Sequence, residues 1–420
     1  MSINLTQYNQ STTNSGIIVA TRTMPHIQSV AINIATAIGS RYETEENNGI
    51  CHFLEHMAFK GTASRSFKQI AEEFDAIGGD FNACTMKQST IYYTKIIHDH
   101  VNTAVSILGD VLCNSLFEES EIKKEYSVIC QEMAESEDTP EDVLCDQFFA
   151  NTFRNQGLGK PILGTQTSIS KFNSAILKSY MQQNYCANNL VIAAVGNINH
   201  DKFVGYVNQN FASLKAGTKP QHNNAIYNPG FIFTQKPLEQ MHILMGYEAV
   251  SYQNIVLTIH MRLLSIIFGS GMSSRLFQEI RENLGLVYSV CSYPVIYNDI
   301  GLFCIALNTS HDNVYKAIAG VENEILKICT SITVQELHTA QYKIKSSLLI
   351  SEESNYFQSE SLAQDILLLG KNWEINEIID MVYATTVNDI LAIAQKIFSS
   401  KPSLAILGKE FDRDKISSQY

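Results

Sequence analysis

Residues 49–62, GICHFLEHMAFKGT, contain the pattern H-x-x-E-H. On a helix, His52 and His56 are four positions apart and project from one face, so both imidazoles reach one metal ion, and Glu55 points to the same side. Two neutral imidazoles and one carboxylate bind zinc and leave a fourth position for water, and a second carboxylate nearby accepts the proton of that water. The pattern therefore predicts a zinc centre with Glu55 as the general base.

The third metal ligand must come from another segment of the chain. The best candidate is the helical stretch EIKKEYSVICQEMAE, in which Glu125 and Glu132 are seven residues apart and share a face. A pair of this kind is more often a solvated stripe than a metal site. The residues alone therefore leave its role open.

Composition limits the possible classes of protein. At 420 residues the chain exceeds what one hydrophobic core usually serves, which predicts two or more domains. The net charge of −12, without a dense Lys/Arg run, argues against nucleic acid as a partner. No apolar run approaches the roughly 18 residues of a membrane span. The start of the sequence lacks a signal or transit pattern and the nine cysteines lack C-x-x-C spacing, so we expect a cytoplasmic protein.

The second half of the sequence repeats the order of elements in the first, at an offset of roughly 210 residues. In each half a helix leads into a short apolar strand, LVIAAVGN in the first and SLAILGKE in the second. Residues 214–230 have the Pro, Gly and polar composition of a linker. We predict two homologous α+β domains, at 1–213 and 231–420, each a mixed, mainly antiparallel sheet with helices packed on one side.

The motifs resemble those of pitrilysin-type metallopeptidases, the inverted zincins, and within them the mitochondrial processing peptidase-like subgroup. HFLEHMAFKGT is very similar to the active-site helix of that subgroup, and EYSVICQEMAE is similar to its third-ligand helix. The resemblance implies one Zn²⁺ per chain, with Glu132 as the third ligand and Glu125 as a carboxylate that supports the ligands from behind. It also implies the fold, two related α+β domains.

The resemblance extends to residues that would contact the substrate. SGMSSRLFQEIRENLGLVYSV resembles the family's motif in the C-terminal domain, which lacks metal ligands, and implies that Arg281 holds a substrate carbonyl and Tyr288 stabilises the oxyanion. GGDFNACTMKQSTIYY resembles the family's edge strand, on which a peptide lies as an added strand. That likeness selects three positions for backbone contacts, namely Phe81, Asn82 and Ala83.

Two further expectations follow from the same resemblance. Asp142 and Asp146, one helical turn apart, are at places where processing peptidases receive a basic side chain, although the acidic run ESEDTPED is equally suited to a solvated surface. Members of the subgroup form homodimers or heterodimers, so we expect a homodimer, with a heterodimer or a monomer left open.

We therefore interpret the sequence as that of a zinc-dependent metalloendopeptidase that hydrolyses peptides or basic presequence-like segments, with Glu55 activating the zinc-bound water. One alternative is a non-catalytic peptide-binding subunit of a heteromeric processing complex, which a metal assay distinguishes from the enzyme. The other is a hydrolase of a non-peptide substrate. The edge strand argues against that reading, because strand addition needs a peptide backbone.

Overall fold

A computed structural model of the chain describes residues 7–416. The strands are β1 (Gln7–Thr12), β2 (Ile18–Thr23), β3 (Ser29–Thr36), β4 (Asp80–Thr85), β5 (Thr90–Ile97), β6 (Leu190–Gly196), β7 (Phe231–Gln235), β8 (Met241–Ala249), β9 (Val287–Ile296), β10 (Gly301–Thr309) and β11 (Ser403–Gly408). The helices of the first half are α1 (Ile50–Ala58), α2 (Phe67–Ala76), α3 (Val101–Asn114), α4 (Glu119–Asp138), α5 (Pro140–Thr152), α6 (Gln166–Ile169), α7 (Ser174–Asn184) and α8 (His200–Asn210). Those of the second half are α9 (Ile255–Phe268), α10 (Val314–Ile328), α11 (Val334–Ser351), α12 (Asn355–Leu369), α13 (Ile375–Ala384) and α14 (Val387–Phe398).

The strands form two mixed sheets of related topology. The first has the order β1-β2-β6-β3-β5-β4, and only β2 and β6 run parallel. The second has the order β7-β11-β8-β10-β9, and only β7 and β11 run parallel. Without β1, the two orders correspond strand for strand. The predicted α+β class, with two mixed and mainly antiparallel sheets, is confirmed.

Both faces of the first sheet are covered. Every residue of β6 is buried, which is typical of a strand that packs on both sides. One set of alternating side chains, including Ile32 and Ile192, joins the main core of this half. The other set, including Ala35 and Val191, packs against apolar residues of α12. The expected layer of helices on one side is therefore supplemented by α12 on the other.

The second sheet also has a helix on its second face. Leu302 and Leu407 point away from the main core of this half and pack with Phe148 and Phe149 of α5. At Gly246 of β8 an added Cβ would lie 2.3 Å from the ring of Phe148, so the helix approaches the strand closely. The absence of a side chain at Gly246 allows this contact.

The two compact units of the chain differ from the predicted continuous domains. One unit contains the residues up to Met133, Lys160–His222 and Ile350–Asn372, whereas the other contains Ala134–Gly159, Asn223–Leu349 and the chain from Trp373 onward. The prediction drew one boundary at residues 214–230, which form neither a helix nor a strand in the structure. The physical reason for the difference is the burial of α5 and α12, whose apolar faces pack on the sheet of the other half. No helix within residues 7–416 is long and apolar enough to cross a bilayer.

Candidate metal centre

The H-x-x-E-H segment forms the short helix α1, and its first turn is held by a buried carboxylate. Gly49 precedes the helix with φ +91°, a conformation that favours glycine. Glu43 accepts hydrogen bonds from the backbone N–H of Gly49 at 2.7 Å and of Cys51 at 2.9 Å. Burial raises the pKa of Glu43, and these hydrogen bonds offset part of the rise. The carboxylate thus binds N–H groups that a helix leaves without internal partners.

The two histidines of α1 lie on one side of the helix. Their ring centroids are 4.6 Å apart, and the rings are inclined by 62°. On the other side, Phe53, Leu54 and Met57 are buried in the core. This apolar side fixes the rotation of α1 about its axis, which in turn fixes the direction of both imidazoles.

A carboxylate from α4 faces both imidazoles. Oε1 of Glu132 lies 3.6 Å from Nε2 of His52, and Oε2 lies 3.5 Å from Nε2 of His56. The ligand atoms of the three residues all lie within 4.8 Å of one another. With bonds of about 2.0–2.1 Å, the edges of a tetrahedral zinc site measure about 3.3–3.4 Å, so this donor set fits the ion. Among residues 7–416, no second group of three such side chains is close enough to share a metal.

Glu125 lies behind His56 on the same helix as Glu132. Its Oε2 is 3.1 Å from Nδ1 of His56, and its Oε1 is 2.5 Å from Nζ of Lys60. The carboxylate is buried, whereas the lysine is about one-quarter exposed. Because Glu125 accepts from Nδ1, the proton of a neutral His56 is held there and Nε2 is left free for a metal.

The ionisation of Glu132 suits metal ligation, whereas a raised pKa at His56 favours the proton that a metal must displace. Hydrogen bonds to His52 and His56 lower the pKa of Glu132 to about 2, which keeps this carboxylate ionised near neutral pH. Burial lowers the pKa of His56, but hydrogen bonds to Glu132 and Glu125 outweigh burial, and the net pKa is raised. Nδ1 of His52 is buried and has no hydrogen-bond partner within the described part of the chain. Of the two histidines, only His56 therefore has its ring orientation fixed by a carboxylate from behind.

Glu55 is oriented by a side chain of the neighbouring strand. Thr85 of β4 donates a hydrogen bond from Oγ1 to Oε2 of Glu55 at 2.5 Å. Within residues 7–416, Oε1 of Glu55 has no hydrogen-bond partner. The carboxylate that the sequence assigned as a base therefore has one oxygen held and one available.

Strand β4 is an edge of the first sheet, since it pairs with β5 on one side and with no strand of the described sheet on the other. The hairpin closes with a hydrogen bond from the N–H of Met86 to the carbonyl of Ser89, at 2.8 Å. Backbone groups alternate in direction along an antiparallel strand. Counting back from Met86, the backbone groups that point to the open edge are those of Phe81, Ala83 and Thr85.

The three positions assigned to substrate from the sequence differ in their surroundings. The ring of Phe81 stacks on Phe74 with centroids 4.2 Å apart, and Ala83 is buried, so both contribute only backbone to the edge. Asn82 is exposed, and its Oδ1 accepts the edge-facing N–H of Ala83 at 2.8 Å. An added strand would have to displace this amide oxygen from Ala83.

The remaining predicted residues lie in the second compact unit. Arg281 is in a π-helical turn, Phe277–Asn283, and its guanidinium lies 5.8 Å from the ring centroid of Tyr288. Tyr288 is 72% exposed on the edge strand β9, so its hydroxyl is accessible in this unit. Asp142 and Asp146 are both exposed on α5. The metal-site residues belong to the first unit.

Two residues that contact the site were not identified from the sequence. Lys60 is in the quoted motif four residues after His56, but a lysine just beyond a helix end usually serves solubility. Thr85 follows Phe81 and Ala83 at a spacing of two, which places its side chain on the inward face of β4. That alternation was a usable signal for Thr85, whereas the contact with Glu55 depends on packing between α1 and β4.

Two imidazoles and one carboxylate are the ligand set of one class of catalytic zinc centre, and comparison with known proteins identifies the family of the chain. Residues 18–166 match the model of insulinase, peptidase family M16, and residues 171–343 match that of the peptidase M16 inactive domain. This chain belongs to peptidase family M16. The mitochondrial processing peptidase-like subgroup remains a prediction.

Curated relatives and solved structures agree with this assignment. The chain is 43% identical to an uncharacterized zinc protease of Rickettsia felis, over 96% of this chain and 97% of the relative. It is 36% identical to the uncharacterized zinc protease YmxG of Bacillus subtilis, over 94% and 97%. A protease from Helicobacter pylori has the same fold, with a TM-score of 0.90 at 19% identity over 96% of this chain and all of that one.

Proposed function

We propose that this chain is a zinc-dependent endopeptidase that cuts extended peptides, including basic presequence-like segments. The observation that carries the proposal is the convergence of His52, His56 and Glu132 beside Glu55, which keeps one carboxylate oxygen without a partner among the described residues. The relatives named zinc proteases support the same reaction class.

The residues that would hold Zn²⁺ are His52 and His56 through Nε2, together with the carboxylate of Glu132. When bound there, the ion supplies Lewis acidity, which makes a water more acidic and polarises a carbonyl. Glu125 supports the set by accepting the Nδ1 proton of His56. We expect one ion per chain, because the described residues offer one such group.

The substrate backbone would pair with the open edge of β4. An antiparallel or parallel peptide strand gains hydrogen bonds from Phe81 and Ala83 once the side chain of Asn82 moves aside. Because these bonds involve main chain on both partners, selection of side chains along this strand should be weak. Strand addition also requires an extended segment, so unfolded peptides are the expected substrate class.

Glu55 would act as the base and then as the acid. A proton moves from the attacking water to Oε1 of Glu55 while the water oxygen bonds to the carbonyl carbon. The C–N bond then breaks, and the amine nitrogen takes the proton from Glu55. The immediate products are a carboxylic acid and an amine, and Glu55 returns to its ionised form. Near neutral pH the proton of the new carboxylic acid passes to the amine, so the released ends are a carboxylate and an ammonium group.

The second unit would contribute contacts to the substrate. We assign Arg281 to a substrate carbonyl and Tyr288 to the oxygen that gains charge during attack, since both carry donors for a developing anion. We assign Asp142 and Asp146 to a basic side chain near the cleavage point, because both carboxylates are exposed on one face of α5. We expect the active form to be a homodimer.

The test is cleavage of a quenched fluorescent basic peptide by the purified chain, with zinc quantified per chain. We expect cleavage by the wild type, none by Glu55→Gln with equal zinc, and loss on chelation that zinc reverses. Cleavage by Glu55→Gln, or cleavage insensitive to chelation, would overturn the mechanism. Peptide binding without cleavage by the zinc-loaded wild type would instead favour a non-catalytic binding subunit.

A further inference from the structure

Thr85 connects the edge strand to the assigned base. Thr85 as a whole is 8% exposed, and its hydroxyl makes one hydrogen bond within residues 7–416, to Oε2 of Glu55 at 2.5 Å. Its backbone groups lie in the plane of the sheet and point away from β5, to the open edge of β4. One residue thus contacts Glu55 through its side chain and borders the peptide-binding edge through its backbone.

The hydrogen bond restricts a side chain that otherwise rotates freely. Glutamate has three side-chain torsions, and fixing them costs free energy unless a partner compensates. Among the described residues, no other side chain bonds to Glu55. Thr85 therefore selects both the rotamer of Glu55 and which of its oxygens is left open.

We propose that Thr85 is a positioning residue for Glu55, holding Oε2 so that Oε1 is directed at the attacking water. This inference rests on the endopeptidase activity proposed above. It links the two parts of the reaction physically, because any shift of β4 on pairing with a peptide moves the hydroxyl that orients the base.

If the role of the Thr85 hydroxyl were purely structural, we would expect a different result. If the hydroxyl only satisfied a buried polar atom, Thr85→Val would change stability and leave the turnover of folded enzyme unaltered. If it positions the base, the substitution lowers kcat with little effect on KM. A misplaced catalytic group costs up to about 100-fold, so we expect a 10- to 100-fold loss.

Thr90, the cross-strand partner of Thr85, provides a matched control. Thr90 pairs directly with Thr85 across β4 and β5, is fully buried, and donates to the carbonyl of Ile38 at 2.9 Å. Thr90→Val removes a threonine hydroxyl from the same strand pair without touching Glu55. We expect it to retain kcat within about threefold when folded enzyme is compared, since no catalytic group loses a partner.

The experiment compares the zinc-loaded wild type with Thr85→Val, Thr85→Ser, Thr90→Val and Glu55→Gln, using one peptide, zinc quantification and thermal melting. Thr85→Ser keeps the donor and should restore kcat to within about threefold of wild type. Crystals of Thr85→Val should contain the Glu55 carboxylate in more than one rotamer, whereas Thr85→Ser should retain one. Zinc content should be equal throughout.

The outcomes separate the two proposals. A wild type that does not cleave overturns the endopeptidase and this inference with it. A cleaving wild type with an unchanged kcat in Thr85→Val, or with Glu55 held in its original rotamer, overturns the role of Thr85 alone. Loss of kcat in Thr85→Val that Thr85→Ser does not restore also contradicts it, because the donor would then be irrelevant.

Discussion

Nδ1 of His56 lies 3.1 Å from Oε2 of Glu125, and the other oxygen of that carboxylate lies 2.5 Å from Nζ of Lys60. The three side chains form a series of two contacts, from a proposed zinc ligand to a partly exposed cation. The lysine compensates the charge of a buried carboxylate, which would otherwise be costly to ionise. The carboxylate in turn selects the form of His56 whose Nε2 is free.

Glu125→Ala should weaken zinc binding. Without the acceptor, His56 loses both its fixed tautomer and its ring orientation, and loss of such supporting partners typically costs about 10- to 100-fold in metal affinity. The measurement is the zinc dissociation constant by competition with a chromophoric chelator. Glu121→Ala is the control, since Glu121 is one turn earlier on α4 and binds Lys124 instead. Equal zinc affinity in both variants would contradict the assigned role of Glu125.

A buried aspartate, Asp110, holds the segment after α1 through hydrogen bonds. We expect protonation of this aspartate to lower the free energy of unfolding at acid pH. Asp110 accepts from the hydroxyls of Thr62 and Ser64 and from Nη1 of Arg65 at 2.8 Å. Burial raises the pKa of Asp110, but these hydrogen bonds outweigh burial and leave it lowered. The native state therefore binds this proton less tightly than the unfolded chain does.

The stabilising effect of Asp110 depends on pH. Asp110 stabilises the fold above its unfolded pKa of about 3.9, and this contribution is lost as pH falls through the lowered native pKa. At pH 7 we expect Asp110→Asn to cost about 1.5–3 kcal/mol of unfolding free energy, because hydrogen bonds to a charged group are weakened. The difference from wild type should shrink towards pH 3. Urea unfolding of the zinc-free chain measures it, with the exposed Asp99→Asn as control, and a pH-independent difference would refute the assignment.

Most of the candidate metal centre could be proposed from the sequence because the information is local. His52, Glu55 and His56 are within one helix, and helical spacing alone places them together. Glu132 needed the resemblance, since a pair seven residues apart on a helix does not identify its partner. The contact between Glu55 and Thr85 joins residues 30 positions apart and depends on how β4 packs on α1.

The two sheets could be predicted from the sequence. The helix that covers each face of a sheet could not. The apolar run of β6 indicates burial on both sides. An amphipathic helix such as α12, however, indicates only that one of its faces is buried. Tertiary packing, between segments far apart in sequence, places α12 on β3 and β6. It likewise places α5 on β8 and β11. A division of the sequence into two continuous domains therefore misses the packing of α5 and α12.

Tyr288→Phe should lower turnover without changing zinc content. The hydroxyl of Tyr288 is exposed on β9, and we assign it to the charge that develops on the substrate oxygen. Removal of one such donor typically reduces kcat by about 100- to 1000-fold. Tyr293→Phe is the control, since Tyr293 is on the same strand and has no assigned role. Steady-state kinetics with equal zinc loading measure the effect, and an unchanged kcat in Tyr288→Phe would remove this residue from the mechanism.

A proline scan of β4 should distinguish substrate contacts from sheet contacts. The N–H of Ala83 points to the open edge, whereas that of Cys84 faces β5, so proline removes a different hydrogen bond at each position. We expect Ala83→Pro to melt near the wild-type temperature and to raise KM at least about tenfold, because a peptide strand loses a backbone donor. Cys84→Pro should lower the melting temperature, because it breaks the ladder to β5. If Ala83→Pro bound peptide as tightly as the wild type while remaining folded, substrate would not pair with this edge, and the endopeptidase would need another way to hold an extended chain.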